Sequence, residues 1–129
     1  MRNFRELKVW QAAIEIVKEV YLISNFLPSD EKFGLRSQIT RAAVSVPSNI
    51  AEGSAKSSER EFKYYLEMAL GSLFELETQL ILIDELNLVN GQYDFVSLKS
   101  KVNDLQKMLN SFIGVVKARP STQNLKPKI

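Results

Sequence analysis

Cysteine and histidine are both absent from this chain of 129 residues. Without cysteine there is no disulfide framework, no thiolate nucleophile and no cysteine-ligated zinc or iron–sulfur centre. Without histidine the commonest general base and the commonest transition-metal ligand are gone. Triad hydrolases of the usual kind, zincins and haem proteins with an axial histidine are therefore excluded. An enzyme here would have to run on carboxylates, lysine and tyrosine, and a non-enzyme is expected, with no cofactor and no metal. Long apolar runs are also missing, so no membrane span is expected. The opening MRNFRELKVW is charged and lacks the apolar stretch of a secretory signal, and a cytoplasmic protein is expected.

What is present reads as globular. Apolar residues make up 45% and charged residues 25%, enough to fold one domain. The net charge of +2 conceals a division along the chain: residues 59–95 carry 2 basic against 8 acidic residues, and residues 96–129 carry 7 basic against 1 acidic. A basic last third could touch nucleic acid, or it could neutralise the acidic stretch within or between subunits. The second account is favoured, because the excess charge of the whole chain is small.

Helical periodicity runs through four segments, and no alternating strand pattern competes with it. The first covers Leu7 to Phe26. Leu7, Trp10, Ile14, Val17 and Tyr21 form its principal stripe, widened by Ala13, Ile16, Val20 and Ile23. Asn3 and Glu6 have capping-box spacing ahead of it, and Pro28 closes it. The second begins near Asp30 and carries Leu35, Ile39, Ala42, Ala43, Val46 and Ile50. Pro47 falls inside it, where a kink or restart is expected. The third opens on a Ser58/Glu61 capping box and continues through Phe62, Leu66, Ala69, Leu73, Leu76, Leu80 and Ile83. Leu70, Phe74 and Ile81 lie beside that stripe, so the apolar arc exceeds what one bundle face needs. These three are candidate contacts with another subunit. Asn87, Asn90 and Gly91 mark a turn, and the fourth segment runs from Gln92 to Ala118 before Arg119-Pro120. The expectation is an all-α, antiparallel up-down-up-down four-helix bundle over residues 1–119, with a polar, basic tail over 120–129.

Few motifs carry chemistry. The stretch around EGSAKSS lacks the glycines of a phosphate loop, having Ile50 and Ala55 at those positions. Ser54, Ser57, Ser58, Lys56 and Arg60 could still hold a phosphate at the start of the third helix, although ordinary capping explains them better. Glu75 with Glu77, and Asp84 with Glu85, do not share a helical face, so neither makes a paired-carboxylate site. Glu59 and Lys63 are spaced as a surface ion pair. Arg41, Asn49 and Ser72 interrupt apolar faces. Arg41 is expected to pair with Glu75, and Asn49 to bond near the Ala43 carbonyl released by Pro47.

The stretch GLRSQITRAAVSVPSNIAEGSAKSSEREFKYYLEMALGSLFELETQL resembles the signature of the four-helix bundle proteins first noticed in intervening sequences of bacterial 23S ribosomal RNA genes. FRELKVWQAA and ELNLV match as well, so the resemblance covers about residues 4–115. It implies a homo-oligomeric ring, a pentamer, with no established catalytic activity. A more distant likeness is to accessory proteins of diversity-generating retroelements, which form basic rings that bind nucleic acid. Thr40 stands where many relatives have a second arginine, and Ala55-Lys56 stand where relatives often have Gly-Arg.

Two functional expectations follow. In the first, a non-enzymatic oligomeric module associates with structured RNA, ribosomal RNA by the resemblance. Its candidate contacts are Arg36, Arg41, Lys56, Arg60 and Lys63, with Lys99, Lys101, Lys107 and Lys117 on the fourth helix. In the second, the module is a protein-interaction scaffold for an unidentified partner, with no nucleic-acid role. A continuous positive face would favour the first, and neutralisation of lysines by carboxylates the second.

Overall fold

The computed structural model describes residues 2–31, 34–91 and 93–119. Four helices account for most of them: α1 (Lys8–Ser24), α2 (Leu35–Ser54), α3 (Glu59–Glu85) and α4 (Phe95–Ala118). No strand occurs among the described residues. Each helix packs on its two neighbours around a square, α1 on α2, α2 on α3, α3 on α4 and α4 on α1. Arg2, Glu59 and Arg119 meet at one end of the bundle, and Glu19, Tyr93 and Lys101 meet at the other. Successive helices therefore alternate in direction, as the periodicity predicts. The expected tail over 120–129 lies outside the described residues.

The core is the third helix's stripe and what closes over it. Phe62, Leu66, Leu73, Leu76, Leu80 and Ile83 are fully buried, and each contributes roughly 1.5–3 kcal/mol relative to exposure. Ile39, Ala43, Val46 and Ile50 face them from α2, and Leu98, Val102, Leu105 and Leu109 from α4.

The α1 stripe differs from expectation. Val9, Ala13, Ile16, Val20 and Ile23 enter the core, whereas Trp10, Ile14 and Val17 are only half-buried and Tyr21 is exposed. Both sets satisfy a helical period, and packing against the neighbouring helices selects the Ala13 series for the interior. The helix boundaries shift too. Asn3 Oδ1 accepts from the Arg5 amide and caps a short 3₁₀ turn, Phe4–Glu6, instead of α1. Ser29–Glu31 form a second 3₁₀ turn, so α2 starts at Leu35 and not near Asp30. Asp94 caps α4, which begins at Phe95.

Pro47 does not end α2, which continues unbroken to Ser54. The Asn49 side-chain amide donates to the Ser45 carbonyl at 2.8 Å, not to the Ala43 region. Ser45 Oγ in turn lies 2.8 Å from Ser72 Oγ on α3. Ser58 Oγ accepts from the Glu61 amide at 3.1 Å, as the capping-box spacing predicts, while its own hydroxyl donates to the Glu61 carboxylate at 3.2 Å. At the far end Asn87 takes a left-handed conformation (φ 52°), and the Leu88 amide reaches back to the Ile83 carbonyl at 3.1 Å. That is a Schellman stop with asparagine in the position usually given to glycine.

Gly53 marks a close approach of α2 and α3. A Cβ there would stand 2.6 Å from Tyr65 Cβ and 3.2 Å from the Phe62 ring. Gly53→Ala is expected to lower stability by about 1–3 kcal/mol despite alanine's better helix propensity. Denaturant unfolding of the variant beside the parent checks this, and an unchanged or raised midpoint would contradict it.

Candidate interaction surfaces

The nine basic candidates do not come together. Arg36 is half-buried and donates from Nη2 to the Leu27 carbonyl at 3.0 Å, fastening the connection between α1 and α2. Lys99 is bound to Asp84 at 2.7 Å and Lys101 to Glu19. Lys63 pairs with Glu67 at 3.7 Å and not with Glu59. Lys56 is half-buried, its ammonium 5.1 Å from the centre of the Tyr65 ring. Arg41, Arg60, Lys107 and Lys117 remain exposed, with no ion pair among the described residues. Arg41 is on α2 and the two lysines on α4, helices at diagonal corners of the square. Arg41 thus stands apart from the two lysines of α4, while Arg60 opens α3 and Lys117 closes α4. Arg41 does not pair with Glu75. Both point to solvent, because Arg41 sits on the outward side of α2, away from the Ala42 and Ala43 side.

Two clusters bind distant parts of the chain, and local spacing gives no sign of either. At one end the Arg2 guanidinium donates to the Lys56 carbonyl at 2.8 Å, pairs with Glu59 and lies 4.2 Å from the centre of the Phe62 ring. Arg119 adds a second bond to Glu59 at 3.2 Å. The hollow beside Ala55, Lys56 and Ser57 therefore contains the Glu59 carboxylate, which opposes an anion. Ser54 is buried and donates to the Ala51 carbonyl at 2.6 Å. With Ser58 engaged in capping, the phosphate arrangement does not form. At the other end the Tyr93 hydroxyl donates to Glu19 at 2.9 Å, and Lys101 binds the same carboxylate. Among the described residues no group of three or more acidic side chains is placed to hold a metal ion.

Apolar side chains, not charges, distinguish the surface. The α1–α4 seam opens into a groove of about 580 Å³ lined by Leu7, Val9, Met108, Phe112 and Val115. Lys8, Lys107 and Ser111 complete its lining. A smaller hollow between α1 and α2 is lined by Trp10, Ile14, Val17, Val44 and Pro47. On α3, Phe74 is 51% and Ile81 45% exposed, with Leu70 half-buried beside them. Phe74 and Ile81 thus form an outward strip, with Leu70 beside it packed against the core. No helix among the described residues is long and apolar enough to cross a membrane.

This bundle, with its apolar strip and groove, can be set beside known proteins. The profile of the family described as 23S rRNA-intervening sequence protein matches residues 5–111. The chain belongs to that family. Among solved structures, the fold is similar to a protein with unknown function from the S23 ribosomal protein family of Bacteroides thetaiotaomicron. The TM-score is 0.69 at 25% identity, over 81% of this chain and 97% of that one. No curated protein matches the chain. Family membership agrees with the resemblance drawn from GLRSQ…ETQL and fixes the fold, while the role has to be argued from the surface of this member.

Burial, together with the bond to Glu19, pushes the Tyr93 phenol above its ordinary value of 10.0. A group whose pKa is raised by folding contributes stability that is present below the unfolded value and is lost as pH rises beyond it. Stability is therefore expected to decline above about pH 10 in the parent, and Tyr93→Phe to flatten that decline. Denaturation midpoints across pH 8–11.5 measure the effect; a parallel decline in both proteins would refute it.

Proposed function

We propose that this chain is a non-enzymatic oligomeric binding module that works in the cytoplasm as a protein-interaction scaffold. The observation that carries the reading is the arrangement of exposed apolar side chains along helices, in a strip and a groove. Isolated surface leucines are ordinary, but aligned apolar surface on a small domain marks a place where another surface sits. The charge division supports the same reading, since Lys99, Lys101 and Arg119 are neutralised by Asp84, Glu19 and Glu59 within one chain. The missing histidine and cysteine, and the scattered carboxylates, support a role without catalysis.

A second reading, association with structured RNA, draws on one observation. Arg60, Lys107 and Lys117 are exposed and without ion pairs among the described residues. Assembly would multiply such small patches by avidity. The family's description names ribosomal RNA, and ribosomal RNA is the first ligand to try.

Solution mass by light scattering, with binding to structured RNA at about 50 and 200 mM salt, separates the readings. The expected result is a multimer with no appreciable RNA affinity at either salt concentration. Tight binding at the lower salt that collapses at the higher would transfer the function to RNA. A monomer without RNA affinity would overturn both.

A further inference from the structure

The α1 stripe that stays out of the core is continuous. At about 100° and 1.5 Å per residue, Trp10, Ile14, Val17 and Tyr21 fall within roughly 60° of one another along about 16 Å of helix. Trp10, Ile14 and Val17 form one wall of the hollow between α1 and α2, and Val44, Pro47 and Ala51 form most of the other. Phe4 meets the Trp10 ring edge-on at 5.2 Å and steadies it. The hollow holds about 310 Å³, and no charged side chain among the described residues lines it. Charge stands at its two ends instead. Arg41 and Glu52 share the outward face of α2 with Val44 and Ser48, three turns apart and too distant to pair with each other. Both are exposed, and neither has a bond or ion pair among the described residues. Because α1 and α2 run in opposite directions, Arg41 lies towards the Tyr21 end of the stripe and Glu52 towards the Trp10 end. Glu15 and Lys18, on the far side of α1, neutralise each other at 3.0 Å.

We propose that this hollow seats an amphipathic helix of another protein, with its apolar stripe against Trp10 and Val44, a carboxylate near Arg41 and a cation near Glu52. The inference rests on the scaffold reading above and gives the partner a chemistry. Three turns of apolar floor between two helices suit a third helix, which enters such a groove by side chains at i, i+3, i+4 and i+7. Opposite charges at the two ends select a helix that is acidic at one end and basic at the other, the distribution that the helix dipole itself favours. A second copy of this chain supplies no such occupant. Its own hollow is concave, and its exposed α3 strip is flanked by Glu77 and Glu85, which would answer Arg41 but oppose Glu52. Structured RNA suits the hollow less: its phosphates would meet one cation, Arg41, with Glu52 against them at the other end.

Trp10 is the only tryptophan of the chain, so its fluorescence reports on the hollow directly. Three synthetic helical peptides of about 18 residues, without tryptophan and with one leucine stripe in common, serve as probes. One carries glutamates at one end and lysines at the other, the second glutamates at both ends and the third lysines at both. The mixed peptide is expected to shift Trp10 emission to shorter wavelength and, at about 50 mM salt, to bind roughly fivefold tighter than either of the others. Val44→Glu, at a position 39% exposed, is expected to weaken that binding at least tenfold with helix content unchanged by circular dichroism. Arg41→Glu, an exposed change, serves should Val44→Glu misfold, and is expected to transfer the preference to the peptide with lysines at both ends. No emission change with any peptide at millimolar concentration, or an order of affinities unmoved by Arg41→Glu, would overturn the inference. So would a Trp10 shift produced by structured RNA and not by the peptides. Light scattering separates this from assembly: the mass of Val44→Glu is expected to equal the parent's, and a fall would mean that copies of the chain cover the hollow. A monomeric parent whose Trp10 still responds to the mixed peptide would cost the oligomeric reading and leave the docking site standing.

Discussion

The close approach of α2 and α3 sets the geometry of everything else. Gly53 lets the α2 backbone reach Tyr65 and Phe62, and small residues continue the contact: Ala42 and Ala43 are buried on α2, and Ala69 on α3. Ser45 and Ser72 bridge the same pair of helices at 2.8 Å. Close packing here lets α2 carry Pro47 without breaking, because the surrounding contacts hold the helix where its own ladder lacks a bond. The α1–α4 seam, one side of the square away from this pair at each edge, has no such run of small residues. Met108 and Phe112 stand in it only half-buried, and the grooves open there. One tight seam and one loose seam are two consequences of the same distribution of side-chain sizes.

Charge is arranged to close the bundle's ends more than to present a field. Glu59 gathers Arg2 and Arg119, and Glu19 gathers Tyr93 and Lys101. Glu59 and Glu19 are mostly buried, with 15% and 19% of their side-chain surface exposed, so their partners offset the cost of taking each carboxylate out of water. Each pair also removes a cation from whatever the protein could offer to phosphates. The acidic third helix and the basic fourth thus meet within one chain at Asp84 and Lys99. What remains unpaired is local, with glutamates beside the α3 strip and lysines beside the groove.

The helices were legible because burial has a period. Phe62 through Ile83 follow it without interruption, and the Ser58/Glu61 spacing locates the start of α3. Leu70, Phe74 and Ile81 stood out as surplus to one face; Phe74 and Ile81 are exposed, whereas Leu70 is half-buried against the core. Periodicity failed where two stripes on one helix both satisfied it: on α1 the Trp10 and Ala13 series differ by about one residue's rotation, and only packing against neighbours selects between them. Arg41 looked as though it interrupted an apolar face because Ala42 and Ala43 follow it, yet one residue is about 100° of helix. Contacts such as Arg2 with Glu59 and Glu19 with Tyr93 join residues more than fifty positions apart. They depend on where helix ends meet, which a linear pattern does not encode. The same blindness made Lys99 and Lys101 look available, since their partners lie on other helices.

A small domain that acts as the oligomeric module proposed above would gain specificity by repetition. If neighbouring copies join through the two sides that flank α4, then α2, at the diagonal corner, is left outward in each copy. Its exposed face carries Arg41, Ser48 and Glu52 beside the partly exposed Val44. An assembly would therefore display that face once per subunit at fixed spacing. A contact too weak to matter singly becomes effective when several are engaged together, provided that the partner's own spacing matches.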